Sequence, residues 1–369
     1  MKKWQNKYVI GLTGNIATGK SVVRKMLEYL GAYGIDADTL GHRAFMAGSP
    51  GYKQTIEEFG VQILNDQGQI DRNNLSKIVF ADPKSLIRLE SIVHPLVYQG
   101  IDLLVRHTSS KVIILEAIKL LEGDLYTLCD SIWVVNASVE TQQYRLMQKR
   151  KMNEENARNR IQAQSAQERK LAIADVIIQN DNSFEDTWEQ VVYAWLQLFP
   201  EDIDKIQSKK NSKSGSTLTI QRAYPYHAQD IAYFFAQYGY NKRKMSKLEV
   251  MAEFSKKTYL ILQIDDKIVG LMDWQVDDFV ARAGGICIVP HLSQVEGMRL
   301  FLEEIERSIQ EYPCEVVLLF IPPRLAQKKY GWQDFGYEIK AIEELLSQTW
   351  QDAAREFVPA ESVMLFKRL

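Results

Sequence analysis

Apolar residues in the first half of the chain gather into short unbroken runs, and the segments between them repeat apolar positions at helical spacing. Tyr8–Thr13, Val112–Leu115, Ile132–Val135 and Val176–Ile178 read as buried strands. Such alternation implies a parallel sheet with helices on both faces, an α/β fold whose ligands bind beyond the carboxyl ends of the strands. Residues 200–217 break the pattern: they are polar, end in Ser, Lys and Gly without apolar periodicity, and read as a flexible linker. Beyond it the order changes. A strand at Leu218–Gln221 is followed by helices at His227–Gln237 and Leu248–Lys256. A meander at Tyr259–Ile264, Lys267–Trp274 and Gly284–Val289 turns first at Asp265-Asp266. A long amphipathic helix from Ser293 to Glu311, a strand at Glu315–Phe320, a helix at Pro323–Lys329 and a last strand at Val363–Phe366 complete an α+β pattern. The expected organisation is therefore a domain over 1–199, a linker over 200–217 and a second domain over 218–369, with no internal repeat across the joint.

Composition narrows the partners. The 369 residues are 46% hydrophobic and 25% charged, ordinary for globular protein, and a formal charge of −2 gives no global reason to expect nucleic acid or an anionic membrane. Cys129, Cys287 and Cys314 are odd in number and widely spaced, so they form neither a zinc pattern nor a disulfide framework. The basic Met1-Lys2-Lys3-Trp4 start is followed by an apolar run that Gly14 and Asn15 soon interrupt. The expectation is a cytoplasmic protein without a signal peptide or a bilayer span.

The chemistry begins at Gly14-Asn15-Ile16-Ala17-Thr18-Gly19-Lys20-Ser21, which matches G-x-x-x-x-G-K-[ST]. A strand precedes it, and Val22–Leu30 follows with helical periodicity until Gly31 stops the run. A strand feeding such a loop into a helix points backbone N–H groups and the positive helix end at a polyphosphate. Residues Gly14 to Val22 are thus the candidate ATP-binding loop, with Lys20 reaching the terminal phosphates and the Ser21 hydroxyl placed to ligate Mg²⁺. No Asn-Lys-x-Asp sequence for guanine is present. Gly34-Ile35-Asp36-Ala37-Asp38 suggests a strand ending in two carboxylates that share one side and face the loop. A phosphoryl acceptor hydroxyl needs such an oxygen to take its proton. The other reading of either aspartate is a cap for a helix starting near Thr39.

IGLTGNIATGKS, GIDAD, IDRNNLSKIVF, His94-Pro95-Leu96, ETQQYRL, RIQAQ and ADVIIQN together resemble dephospho-CoA kinase, in order and at matching spacing, over residues 8–195. The resemblance implies a nucleoside-monophosphate-kinase-like fold of core, substrate-binding helices and lid. It also implies transfer of the ATP γ-phosphate to the ribose 3′-hydroxyl of dephospho-CoA, the last step of coenzyme A synthesis, with Mg²⁺ accompanying ATP. Carried over by position, Lys20, Asp38 and Arg145 are the catalytic candidates. Asp36, Asp38 and His94 are the acceptor-binding candidates, and Asn180 lies near the adenine or closes a turn. Arg145 reads either as a lid arginine facing the transferring phosphoryl group or as a solvated helix-face residue beside Lys149, Arg150 and Lys151. His94 reads as a substrate contact or as a capping or core histidine.

The chain departs from the family pattern in three places, one of them Lys149, which stands where an arginine is common and lacks its bidentate fork. Asn15 and Ala17 stand where the loop commonly has glycines. The acidic-x-Pro-Leu-Leu-x-Glu segment becomes Glu116-Ala117-Ile118-Lys119-Leu120-Leu121-Glu122, which loses the proline and inserts a charge. That leaves a kinase for another small hydroxyl acceptor, such as a nucleoside monophosphate, and a non-catalytic nucleotide-binding scaffold as alternatives. Residues 218–369 resemble the GNAT-type acetyltransferases through element order, the hairpin Thr258–Trp274 and Tyr330–Tyr337. The pyrophosphate signature of that fold is reduced at Gln294-Val295-Glu296-Gly297-Met298-Arg299 to a Gln and one Gly. An acyl-CoA ligand there is an expectation that Arg299 opposes. Glu303, Glu304 and Glu306 read as the solvated face of a helix.

Overall fold

The computed structural model describes residues 3–65, 67–164, 167–203, 218–238, 245–265, 267–277, 279–310, 312, 314–327, 331–357 and 361–369, the side chains at 72, 80, 149, 150 and 277 excepted. Most of the expected linker, 204–217, lies outside them, as do Asp266, Glu311, 328–330 and the side chains of Lys149 and Arg150. The chain divides into two compact units, Met1–Leu198 and Phe199–Leu369.

Five strands form the sheet of the first unit: β1 Tyr8–Thr13, β2 Tyr33–Asp36, β3 Val112–Glu116, β4 Ser131–Asn136 and β5 Val176–Gln179. Their order is β2-β3-β1-β4-β5, and every pairing is parallel. Ile10, Leu12, Ile113, Ile114 and Leu115 are fully buried, so the central strands are apolar on both faces. Register does chemical work here. Glu116 pairs with Leu12 on one side and Asp36 on the other, which lines up the strand ends where the loop after β1 begins.

The helices are α1 Lys20–Tyr29, α2 Ala37–Arg43, α3 Pro50–Phe59, α4 Arg72–Ala81, α5 Pro83–His107, α6 Val139–Arg150, α7 Glu154–Gln162, α8 Gln167–Ala172 and α9 Phe184–Leu198. Asp82 caps α5 by accepting from the Lys84 and Ser85 N–H groups, and Pro83 occupies the first turn, where no donor is needed. The helix continues through Pro95.

The second unit has β6 Thr219–Arg222, β7 Thr258–Ile264, β8 Lys267–Asp277, β9 Val280–Ile288, β10 Val316–Ile321, β11 Glu338–Ile339 and β12 Val363–Arg368. They run β11-β12-β10-β9-β8-β7-β6, antiparallel except for the parallel β9–β10 pair. Helices α10 Ala228–Tyr238, α11 Lys247–Glu253, α12 Gln294–Ile309 and α13 Gln348–Phe357 accompany them. Three expectations are revised. The meander strands are longer, β9 beginning at Val280 rather than Gly284. Over its described residues the expected helix at Pro323–Lys329 is a single 3-10 turn at Pro323–Leu325. Helix α13 was not foreseen: Trp350 and Ala354 bury against Val280, Leu318 and Phe366, a partnership between residues far apart in sequence.

Candidate active site

The loop after β1 turns sharply into α1. Gly19 caps that helix at φ 96°, and a Cβ placed there would lie 2.0 Å from Asn180 Nδ2, so only glycine fits. Ala17 adopts φ 60° without being glycine, a conformation that costs about 1 kcal/mol. Its methyl packs against the cluster of Ile16, Leu146 and Ala157, which supplies an offsetting contact that glycine would lack. Lys20 is buried, with Nζ donating to the carbonyls of Gly14 (3.0 Å) and Asn15 (3.2 Å). Burial lowers its pKa, and the nearby Glu116, Asp38 and Asp36 carboxylates pull it back up.

The loop is gripped from outside. Arg145 donates through Nη1 to the carbonyls of Ala17 (3.2 Å) and Thr18 (3.1 Å) and through Nη2 to that of Asn180 (2.8 Å). It is half-buried, so the solvated helix-face reading of this residue fails. Burial lowers its pKa below the ordinary arginine value. Asn180 Nδ2 donates to the Thr18 carbonyl at 2.7 Å, and its Oδ1 accepts from Thr187 at 2.9 Å. Gln164, just past the end of α7, accepts from the Ile16 N–H (2.7 Å) and Gln167 from the Asn15 N–H (3.2 Å), tying this segment and α8 to the same loop. Asn180→Ala is expected to lower stability by about 1–3 kcal/mol, because it removes two buried hydrogen bonds, leaving the Thr18 carbonyl to Arg145 alone and the Thr187 hydroxyl to the Ser183 carbonyl alone. A thermal melt unchanged from wild type would contradict that role.

The acidic residues take separate places. Asp36 ends β2 and caps α2, accepting from the Thr39 N–H at 2.9 Å, whereas Asp38 sits inside the first turn of that helix. The expected strand end with two same-side carboxylates is therefore replaced by a strand-to-helix corner. Asp38 Oδ2 accepts from the Ile118 N–H at 3.0 Å. Burial raises its pKa above the usual carboxylate value; the Ile118 N–H, Lys20 and His42 oppose the rise, and Asp36 adds to it. Ser21 Oγ donates to Glu116 Oε1 at 2.9 Å, and Glu116 Oε2 pairs with Arg24 Nε at 2.7 Å. Burial pushes the Glu116 carboxyl up, while Arg24 and Lys20 hold it down. Lys170, on α8, is 2% exposed and donates to the Ile118 carbonyl at 2.8 Å.

Beside Asp38 opens a cleft of about 460 Å³ lined by Phe45, Val97, Tyr98 and Ile118, with Asp38, His42, His94, Lys119 and Asp124 as its charged or polar groups. His94 is exposed on α5 and lines this cleft, so it is not a core histidine. An apolar hollow with a few convergent polar groups is the usual form of a small-molecule site.

Two functional candidates escaped the sequence reading. Glu116 was noted only as part of an altered segment, although an acidic residue ending a four-residue apolar strand was a usable signal. Lys170 lies in a polar run, QERKLA, that gave no hint of burial. Among the described residues no group of three or more His, Cys, Asp or Glu side chains could hold a metal by itself. The Ser21 hydroxyl beside Glu116 nevertheless offers oxygen donors of the kind Mg²⁺ accepts when phosphates and water complete its shell. No helix of the described residues is long and apolar enough to cross a membrane.

In the second unit, α12 is capped by Ser293, which accepts from the Glu296 N–H at 3.3 Å. Gln294 is turned back onto the carbonyls of Val289 and Leu292. A Cβ at Gly297 would meet Ile288 Cδ1 at 2.9 Å, so this glycine serves helix-to-sheet packing. Arg299 pairs with Glu303 at 2.8 Å on the exposed face, and Glu303 with it. Glu304 and Glu306 are more enclosed than expected: Glu306 accepts from Tyr337 at 2.9 Å and pairs with Lys367 at 2.5 Å.

The sequence profile of the family described as dephospho-CoA kinase matches residues 8–186. A dephospho-CoA kinase from Carboxydothermus hydrogenoformans is 42% identical over 187 residues, covering 50% of this chain and 91% of the relative. The solved dephospho-CoA kinase from Campylobacter jejuni is 26% identical, covers 53% of this chain and all of its own, and superposes with a TM-score of 0.39. Over 42% of this chain and 99% of its own, a GNAT-family acetyltransferase from Streptococcus pneumoniae is similar at 15% identity and a TM-score of 0.32.

Proposed function

The chain belongs to the dephospho-CoA kinase family, and on that premise we propose that its first unit transfers the ATP γ-phosphoryl group to the ribose 3′-hydroxyl of dephospho-CoA. One observation carries the assignment: Asp38 lines the apolar cleft while its field couples to Lys20 at the phosphate loop. The reaction joins the 3′-oxygen to the γ-phosphorus as the bond to the β,γ-bridging oxygen breaks, giving ADP and coenzyme A. Asp38, raised toward neutrality by burial yet still favoured as an anion by Ile118 and Lys20, takes the hydroxyl proton. The Lys20 ammonium and the backbone N–H groups at the start of α1 hold the polyphosphate. Ser21 would hold the Mg²⁺ that accompanies ATP, with Glu116 orienting its hydroxyl, and the ion would supply neutralisation of phosphate charge. Arg145 and Asn180 keep the loop in its receiving shape through its carbonyls, and Arg145 adds positive charge beside it.

The acceptor is held by the cleft. Lys119, exposed on its wall, replaces an apolar residue of the family pattern and places a cation where the acceptor's diphosphate can be read. Lys119→Ala is expected to raise KM for dephospho-CoA about three- to tenfold with little change in kcat; unchanged KM in steady-state kinetics removes that assignment. The reaction itself is tested by incubating the full chain with dephospho-CoA, ATP and Mg²⁺ and weighing the product. A mass gain of one phosphoryl group supports the proposal. ADP release with a nucleoside monophosphate but not with dephospho-CoA replaces it with the other kinase reading, and ATP binding without turnover on either acceptor replaces it with the scaffold.

For the second unit the geometry argues against acyl-CoA at the start of α12. Glu296 sits in the first turn, where a pyrophosphate would need positive potential, and Gly297 is committed to packing.

A further inference from the structure

We propose that Ile118 and Lys170 are positioning residues for this transfer: the Ile118 N–H holds the Asp38 carboxylate, and the Lys170 ammonium holds Ile118. The inference rests on the kinase reading above.

Ile118 opens the turn that follows β3. Its N–H donates to Asp38 Oδ2 at 3.0 Å. Its carbonyl accepts from Lys170 Nζ at 2.8 Å and from Thr13 Oγ1 at 3.2 Å. One residue is thereby fixed at both ends, by the base on one side and by α8 and β1 on the other. The family pattern carries proline here. Proline has no N–H, so this hydrogen bond exists only because the chain departs from the pattern. With Oδ2 engaged, Asp38 presents Oδ1 to an acceptor hydroxyl in the cleft.

Lys170 shows how much structure is committed to the arrangement. Burying an ammonium costs several kcal/mol unless partners compensate it. The carboxylate paired with it, Glu122, stands 3.7 Å away and is itself 37% exposed. Its shortest contact is instead the Ile118 carbonyl, and burial lowers its pKa while Glu122 and Asp38 raise it. A lysine spent on a peptide carbonyl one residue from the acceptor cleft is a clamp, and it stands on the helix whose Gln167 grips the phosphate loop. The base and the loop are in this way held by one element.

The charged groups that bear on Asp38 are Asp36 at the end of β2, Lys20 on α1, His42 on α2 and Lys170 on α8. His94, Lys119 and Asp124 line the same cleft. Removing a donor or a cation from this set disfavours the carboxylate and raises its pKa. The acid limb of activity, which marks protonation of the base, then moves to higher pH.

The test is the pH profile of kcat/KM for dephospho-CoA in the full chain, with KM for ATP and a thermal melt recorded alongside. Ile118→Ala trims the side chain and keeps the N–H; Ile118→Pro removes the N–H as well. Relative to the alanine variant, the proline variant is expected to lose about tenfold in kcat and to shift its acid limb upward by roughly one pH unit, with KM for ATP within about twofold. Lys170→Met is expected to move the limb the same way, and Lys170→Arg to return it toward wild type. Coincident limbs for proline and alanine, and for methionine and wild type, overturn the proposal. If Ile118→Pro does not fold, the two Lys170 variants decide the matter. Wild type that fails to phosphorylate dephospho-CoA is a separate result, and it removes the kinase assignment instead.

Discussion

Asp38→Asn is expected to lower kcat for dephospho-CoA at least about a hundredfold while leaving ATP binding in place. The substitution is nearly isosteric, and the asparagine oxygen can still accept from the Ile118 N–H, so the corner between β2 and α2 keeps its shape. What disappears is the proton acceptor. Burial raises the pKa of Asp38, so wild-type activity is expected to fall on acidification at a higher pH than an ordinary aspartate would give, and the asparagine variant to lack that limb. Single-turnover measurement isolates the chemical step. A loss under threefold contradicts the role assigned to the carboxylate.

Lys20→Ala carries the second large effect, a fall of at least about two orders of magnitude in turnover with weakened ATP binding. The side chain is 7% exposed and faces Glu116, Asp38 and Asp36 together. Its removal takes away the phosphate-binding cation and leaves three carboxylates without their shared counter-charge. The pKa values of Asp38 and Glu116 therefore rise, and residual activity is expected to shift its acid limb upward as well. ATP titration by calorimetry, combined with the pH profile, checks both parts. Unchanged ATP affinity together with a loss under threefold would remove Lys20 from the site.

The phosphate loop was legible because its geometry is local. A strand, six loop residues and a helix start are contiguous, and their N–H groups point together as a consequence of backbone connectivity. The α/β order of the first half was legible for a similar reason, since central parallel strands must be apolar on both faces. Second-unit strands were found approximately and their ends missed, because pairing partners rather than the strand itself decide where a ladder stops. The helix at Gln348–Phe357 went unnoticed because its apolar face makes sense only against β9, β10 and β12.

The site divides along the same line. Motif and spacing singled out Lys20, Ser21 and Asp38, and the structure puts Lys20 and Ser21 at the start of α1 and Asp38 on the wall of the cleft. Arg145 was left open between lid and surface, since helical position alone does not say which face meets the loop. Asp36 proved to be the cap that one of its two readings had named.

By itself the chain's order of residues determined a nucleotide loop, its strand and helix, the alternating α/β layout and the family pattern, all properties of short contiguous stretches. Only the tertiary structure decided that Glu116 meets Ser21, that Lys170 lies buried beneath Ile118, and that a backbone N–H holds Asp38. The reason is physical. A charge is buried or solvated according to what folds over it, and the residues that fold over these come from strands and helices roughly fifty to a hundred positions away.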